Sequence, residues 1–146
     1  MDQAVKDFVA GKRLAVVGAS RSGKKFGNIA YKELKQRGYQ VYIVHPTASE
    51  IDGEPCYPSL GALKEQVDGV VVSVPPTQGM QVLQDASKAG LKDVWIQQQG
   101  DSPELLQLGE SLGLNLIHGK CILMYAEPVR SFHSFHRFFV RLTGKL

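Results

Sequence analysis

The sequence is poor in cysteine and has no long apolar run, and both absences limit what the protein can be. Only two cysteines occur among the 146 residues, and Cys56 and Cys121 match no zinc-binding or CxxC spacing. A chain of this length buries a core without disulfides, so we expect reduced thiols and a cytoplasmic location. Its wholly apolar stretches are short, such as 70–72, so we expect no transmembrane segment. Acids at Asp2 and Asp7 stand where a signal peptide needs a basic start and an apolar run.

Charge of either sign is also sparse in most of the chain. Charged residues make up 21% and hydrophobic residues 43% of the sequence, which is typical of a globular domain and not of a disordered chain. The formal net charge is +3, and residues 130–146 supply four basic and no acidic side chains. Because the rest of the chain is close to neutral, we expect no nucleic-acid partner. The four basic residues are Arg130, Arg137, Arg141 and Lys145.

Short apolar runs alternate with helical patterns along the chain. Runs of β-branched residues bounded by glycine or proline are typical of strands buried on both faces. Most are followed by a segment with apolar residues at helical spacing that ends at a glycine. This alternation predicts an α/β fold, in which a single three-layer domain holds a doubly wound, five-stranded parallel sheet. The predicted strands are Arg13–Val17, 39–44, 69–74, Asp93–Gln97 and 114–117.

The pattern is less regular between the second and third predicted strands. Residues 49–58 are predicted as turns, and a short helix is predicted from Ser59, whose side chain can cap it. Thr77 is the predicted cap of the helix after the third strand, and Asp101 or Ser102 that of the helix after the fourth. Ligands of such a sheet bind outside the carboxyl ends of the strands, so the loops that follow the strands are the candidate site.

The loop after the first strand resembles two phosphate-binding motifs and satisfies neither. Gly18 and Gly23 occupy the first and third positions of GxGxxG, whereas Ser20 occupies the second, where glycine lets the backbone approach a pyrophosphate. The acid expected at the end of the second strand, for the ribose of NAD, is missing. The same loop matches GxxxxGK, but Lys25 stands where a P-loop has the Ser or Thr that ligates magnesium.

A phosphate cradle is still the interpretation that this loop favours. The following helix offers free backbone amides and the positive end of its dipole to an anion. Three cations, Arg21, Lys24 and Lys25, add to this attraction. The alternative is a solvated loop whose glycines merely turn the chain.

Five segments of the sequence carry a resemblance to one protein family. They are LAVVGAS (14–20), GYQVYIVHP (38–46), DGVVVSVPP (68–76), VWIQQQG (94–100) and CILM (121–124). On these segments, and in this order over about residues 8–125, the chain resembles the small bacterial CoA-binding proteins. Those proteins are single-domain relatives of the CoA-binding domain of the succinyl-CoA synthetase α subunit.

The resemblance implies a Rossmann-like domain, residues 1–127, that binds coenzyme A or an acyl-CoA as a stand-alone, non-catalytic module. It places the pyrophosphate against the start of the first loop and makes the cations of that loop available to the 3′-phosphate of the ribose. The residues concerned are Gly18, Ala19, Ser20, Arg21, Lys24 and Lys25. The missing ribose acid fits this ligand, because a carboxylate would repel a 3′-phosphate.

The resemblance also places two strand exits, His45-Pro46 and Val74-Pro75, beside the adenosine and the start of the pantetheine arm. The family commonly has asparagine where this chain has His45. Two alternatives to CoA binding stay open. One is an NADP-binding oxidoreductase, with the cations of the first loop on the 2′-phosphate, and the other is a P-loop-like nucleotide-binding protein.

Candidate catalytic groups are few. Cys121 follows the fifth predicted strand beside Lys120, a position that suits either a reactive thiolate or an inert buried thiol. His118 lies at the same strand end, and the sequence places no Ser, Cys or Asp partner for it. His133 and His136 share a helix face, but without a third ligand we predict no metal site. We therefore expect a binding protein and no catalytic residues.

Residues 128–146 are predicted as an extra C-terminal helix with one apolar and one basic stripe. Three interpretations stay open for it. The helix packs on the domain, forms a homodimer or another partner contact, or binds an anionic membrane. The apolar stripe consists of Phe132, Phe135, Phe139 and Leu142.

Overall fold

A computed structural model of the chain describes residues 3–126, which form helices and strands in alternation. The α-helices of this part are α1 (Gln3–Ala10), α2 (Phe26–Gln36), α3 (Pro76–Lys88) and α4 (Pro103–Ser111). The strands are β1 (Arg13–Val17), β2 (Gln40–Val44), β3 (Glu50–Ile51), β4 (Glu54–Tyr57), β5 (Gly69–Val72), β6 (Asp93–Gln97) and β7 (Asn115–Lys120). Two short 3₁₀ helices, Leu60–Leu63 and Ile122–Met124, complete the described chain. The predicted C-terminal helix lies outside the described residues.

All seven strands of the described chain belong to one sheet, in the order β3-β4-β2-β1-β5-β6-β7. Every neighbouring pair is parallel except β3 and β4, which are antiparallel. The chain leaves the central strand β1 in one direction to β2 and later crosses to β5 on the other side. This reversal is the topological switch point of a doubly wound sheet. The predicted Rossmann-like α/β class is confirmed.

The strand count was wrong, because β3 and β4 lie in the segment predicted as turns. The sequence does hold the signal for a hairpin there: Asp52 and Gly53 both have positive φ, 52° and 80°, the conformation that an Asp-Gly hairpin turn requires. The flanking strands have only two and four residues, and Pro55 lies in the second. They are too short for a period-two pattern to show.

Two apolar clusters cover the two faces of the sheet. Side chains alternate along a strand, so Leu14 and Val16 of β1 enter the cluster that contains α1 and α2 residues, while Ala15 enters the cluster that contains α3 and α4 residues. The indole of Trp95 is fully buried, and its Nε1–H donates to the carbonyl oxygen of Lys120 at 3.0 Å. Burial on both faces explains why the central strands consist of continuous apolar runs.

The helix ends agree with the sequence signals in part. Gly38, Gly90 and Gly113 follow α2, α3 and α4 with positive φ, and the Ser102 hydroxyl caps α4 by accepting from the backbone amide of Leu105. The cap predicted at Thr77 is wrong, since α3 begins one residue earlier, at Pro76, where the fixed φ of proline suits the first turn.

Ser59, which was also predicted as a helix cap, precedes the 3₁₀ helix Leu60–Leu63, but its side chain makes no capping hydrogen bond. The buried Arg37, which directly follows α2, donates to the carbonyl oxygens of Leu123 and Ala126 at 3.0 and 2.8 Å, near the end of the described chain. These bonds hold the segment after β7 against α2. None of the helices within residues 3–126 is long and apolar enough to span a membrane.

Candidate ligand-binding site

A cleft of about 560 Å³ opens at the carboxyl ends of β1, β2, β4 and β5. It therefore lies at the switch point between β1 and β5, where a sheet of this topology binds its ligands. Eight of the ten residues predicted to bind the ligand line this cleft. They are Gly18, Ala19, Ser20, Lys25, His45, Pro46, Val74 and Pro75.

Two glycines allow the first loop to pack closely against its surroundings. Gly18 has φ of 130°, and a Cβ atom there would collide with the carbonyl oxygen of Ser73. A Cβ atom at Gly27, in the first turn of α2, would collide with the backbone of Gly18 and lie 2.6 Å from the amide nitrogen of Ala19. Gly27 thus lets the helix approach the loop. Gly23, predicted as the last glycine of the motif, is instead a turn residue with φ of 75°, where an added Cβ would make only ordinary contacts with the Asp52 carboxylate.

Asn28 fixes the shape of this loop, and the sequence analysis missed it. Its side chain is fully buried, and Oδ1 accepts from the backbone amides of Ser20 and Lys25 at 2.9 and 3.2 Å. Its Nδ2 donates to the carbonyl oxygen of Ser20 at 3.0 Å. An asparagine in the first turn of a helix, three residues after its cap, was the available signal. Because the amides of Ser20 and Lys25 are already bonded, they are not free to bind a phosphate.

The three predicted cations do not take equivalent positions. Lys25 lines the cleft, whereas Arg21 and Lys24 are exposed on the same loop outside its wall. The Arg21 guanidinium donates to the hydroxyl of Thr47 at 2.9 Å, which ties the loop after β1 to the loop after β2. Beside it, the hydroxyls of Ser20 and Ser22 are 2.7 Å apart.

His45 shapes the loop after β2. Its ring Nδ1 accepts from the backbone amides of Thr47 and Ala48 at 3.1 and 2.9 Å, so the ring caps the turn that carries Pro46. An asparagine carbonyl oxygen forms the same kind of turn by accepting from the amide two residues ahead. His45 therefore accepts the kind of hydrogen bond that an asparagine would accept at this position. The substitution of histidine for the asparagine that is common in the resembling family is compatible with the turn.

One face of α3 forms a wall of the cleft that the sequence analysis did not predict. Gln78, Gln81, Val82 and Asp85 line it. Gln81, Val82 and Asp85 follow Gln78 by three, four and seven residues, which places all four on one side of the helix. Their spacing was visible in the sequence, but only the apolar positions of this segment were used to predict the helix.

The candidate chemical groups lie away from the cleft. The exposed His118 of β7 and Asp101 of the loop before α4 lie 17 positions apart in the sequence, and His118 Nδ1 is 2.9 Å from Asp101 Oδ2. No local pattern in the sequence points to this pair. Cys121 is buried in the apolar cluster beside α1 and α2. Cys56 lies on β4, and burial raises the pKa of its thiol. His133 and His136 lie outside the described residues.

Comparison with known proteins identifies the type of domain. A family described as CoA binding domain matches residues 12–127. The chain belongs to this family. The resemblance indicated by the sequence motifs is thereby confirmed, and the family match gives no support to an NADP-binding oxidoreductase or a P-loop-like protein.

Named relatives of this family member are larger enzymes. The chain is 30% identical over 136 residues to ADP-forming acetate–CoA ligase I of Archaeoglobus fulgidus, covering 86% of this chain and 20% of the ligase. It spans 12–28% of the length of four curated relatives, all of them acetate–CoA ligases or a subunit of one. These four are archaeal, so a bacterial origin gains no support from them.

Solved structures include both small and large proteins with this fold. A conserved hypothetical protein from Pyrococcus furiosus is 40% identical with a TM-score of 0.72, and the match covers 76% of this chain and 96% of that protein. The dinucleotide-forming acetyl-coenzyme A synthetase 1 of Ca. Korarchaeum cryptofilum is 31% identical with a TM-score of 0.63, over 73% of this chain and 25% of the synthetase. The domain thus resembles both a small protein and part of a large one.

Proposed function

We propose that the chain binds coenzyme A or an acyl-CoA in this cleft and acts as a non-catalytic binding module. The observation that carries the proposal is the meeting of three predicted ligand-binding segments around one cleft in a member of the CoA-binding domain family. These segments are the loop 18–20 and the strand exits His45-Pro46 and Val74-Pro75. The His118–Asp101 pair and Cys121 do not line the cleft, which supports binding without catalysis.

The end of β2 favours CoA over a nicotinamide dinucleotide. NAD-binding sheets place a carboxylate there for the ribose hydroxyls, whereas this strand ends at Val44 and His45. Asp85 is the one carboxylate among the described residues that line the cleft, and it belongs to α3. A 3′-phosphate near the β2 exit therefore meets no negative side chain from that strand. The exposed Arg21 and Lys24 are the candidates to contact it from the mouth of the cleft.

The first loop also differs from a P-loop. A P-loop wraps phosphates with the backbone amides that precede its helix, but here Asn28 accepts from the amides of Ser20 and Lys25. The lysine of the GK pair, Lys24, does not line the cleft. These contacts favour a ligand whose phosphates touch the start of the loop over one enclosed by it.

A thermal unfolding experiment with CoA, NADP and Mg·ATP in parallel samples tests the proposal. We expect CoA to stabilise the fold, by about 2.7 kcal/mol when its concentration is 100 times the dissociation constant, and NADP and Mg·ATP to have little effect. Stabilisation by NADP or Mg·ATP as large as that by CoA would contradict the proposal.

Two lysine substitutions test whether CoA binds in this cleft. Lys25→Ala should weaken CoA binding and flatten its salt dependence, because a screened charge attraction is lost. Lys64→Ala, at an exposed lysine that does not line the cleft, is the matched control and should bind CoA as the parent does. Equal affinities for the two variants would place the ligand elsewhere.

A further inference from the structure

The cleft has two ends of opposite character. Its walls include α3, which begins at the carboxyl edge of the sheet with Pro76 and runs back along the sheet. Asp85 lies seven residues beyond Gln78 on the same face, which is about 10 Å along the helix axis. Asp85 therefore lies farther along α3 from the carboxyl edge of the sheet than Gln78, whereas Lys25 and the exposed cations belong to the loop 18–25 at that edge.

The Asp85 end offers hydrogen-bond acceptors. Gln81 Nε2 donates to Asp85 Oδ1 at 2.9 Å, which turns the carbonyl oxygen of Gln81 away from the carboxylate. Within residues 3–126, Asp85 Oδ2 accepts no hydrogen bond from another side chain. An ionised carboxylate can only accept, so a ligand group beside Asp85 must be a donor.

Apolar side chains form the walls between the two ends. Val44 of β2, Leu60 of the first 3₁₀ helix and Val82 of α3 all line the cleft, and each comes from a different element. A flat ring with apolar faces and a donor at its edge suits such walls, whereas a phosphate beside Asp85 would suffer like-charge repulsion. The cleft thus distinguishes the two parts of a nucleotide.

We propose that the Asp85 end binds the 6-aminopurine ring of the ligand, with Asp85 accepting a hydrogen bond from the exocyclic amine. The phosphates then lie at the loop 18–25, and the pantetheine arm leaves past Val74 and Pro75. Asp85 is on this basis a specificity residue, because the 6-oxo group of hypoxanthine would place an acceptor against its carboxylate. This inference rests on the proposed binding of CoA and adds which part of the cleft selects the base.

Calorimetric titration with three fragments of CoA tests it. The probes are adenosine 3′,5′-bisphosphate, inosine 3′,5′-bisphosphate and 4′-phosphopantetheine. The parent protein should bind the adenosine compound about ten-fold more tightly than the inosine compound, as expected for one charge-assisted hydrogen bond. This comparison requires no variant. Equal binding of the two bisphosphates would overturn the inference.

The variant Asp85→Asn should lose most of the preference for adenosine and leave the affinity for 4′-phosphopantetheine unchanged. Its matched control is Asp93→Asn, at an exposed carboxylate on β6 that does not line the cleft, and it should keep the parent preference. Weaker binding of 4′-phosphopantetheine by Asp85→Asn would overturn the inference, since the arm would then occupy this end. CoA binding without base preference refutes this inference alone, whereas no CoA binding refutes the proposed function as well.

Discussion

In the two loops that form the cleft, polar side chains serve as hydrogen-bond partners of the loop backbone. Asn28 holds the loop after β1 through three hydrogen bonds, and His45 holds the loop after β2 through two. Buried amides without acceptors are costly, so each side chain stabilises one backbone conformation. The shape of the cleft therefore depends on these two residues, of which His45 also lines it.

Substitutions at His45 should separate its role in the turn from a role in ligand chemistry. His45→Ala removes the acceptor of two amides, and we expect the affinity for CoA to fall about three- to ten-fold, as for the loss of one typical hydrogen bond. His45→Asn supplies an amide oxygen that can accept in the same turn and should bind CoA within about two-fold of the parent. Calorimetric titration of both variants measures this, and equal losses in the two would exclude the turn as the function of the ring.

At the scale of elements, the contact between α2 and the first loop sets where the cleft begins. The helix comes so close that only glycine fits at position 27. At its opposite end Arg37, the residue that follows the helix, donates through its guanidinium to the carbonyl oxygens of Leu123 and Ala126. One helix therefore connects the loop after β1 to the end of the described chain. A change at its first turn acts on the loop directly.

Alanine at two glycines tests this contact. Gly27→Ala should lower the free energy of unfolding by about 2 kcal/mol or more, because the methyl group overlaps backbone atoms that cannot move aside. At Gly61 an added Cβ would lie 3.6 Å from the Ser59 hydroxyl oxygen, an ordinary contact, so Gly61→Ala should change stability by less than about 0.5 kcal/mol. Urea unfolding of both variants provides the comparison. A neutral Gly27→Ala would show that the helix can shift away from the loop.

The elements whose bounds were predicted correctly are those with a continuous apolar pattern of their own. The runs Arg13–Val17 and Asp93–Gln97 are strands with the predicted bounds, because burial on both faces leaves a continuous apolar signal. The hairpin of β3 and β4 was missed because its strands have only two and four residues, which leaves the Asp-Gly turn as its local signal. Its attachment to the sheet, with Cys56 of β4 opposite Ile43 of β2, is a pairing between distant segments that the sequence pattern does not show.

The parts of the cleft that belong to a recognisable sequence motif could be predicted. The parts that arise from contacts between distant elements could not. The loop 18–20 was found from its position after a strand and from its partial motif, and the two proline exits were found from the family resemblance. The bonds of Asn28 to Ser20, the bond of Arg21 to Thr47 and the wall of α3 depend on distances between elements that only the folded chain defines. Asp101 and His118 were likewise brought together by the fold.

At the scale of the whole molecule, an ion pair joins the starts of the two strands that flank the switch point. Asp68, just before β5, accepts from the guanidinium and the backbone amide of Arg13, the first residue of β1. The Arg13 hydrogen bond holds the pKa of the Asp68 carboxyl below its usual value. The pair is partly exposed, so solvent screens it and its contribution to stability is small.

The pH dependence of this contribution follows from the direction of the shift. A carboxyl with a lowered pKa in the folded state stabilises the fold above its unfolded pKa of about 4, and this stabilisation is lost as the pH falls through the folded pKa. Asp68→Asn should therefore be less stable than the parent at pH 7, with a gap that closes as the pH falls below about 4. Denaturant unfolding of both proteins at several pH values measures the gap. A gap that widens on acidification would contradict the assignment.

The described residues that line the cleft all fall between Val17 and Asp85, a single uninterrupted stretch of the chain. On a ribosome, this stretch is synthesised before β6 and β7. An insertion at an open turn in the second half of the domain, such as that of Gly113, would leave the stretch that lines the cleft uninterrupted. That separation gives a simple reason why one such domain can be found in a small protein and in a ligase several times its length.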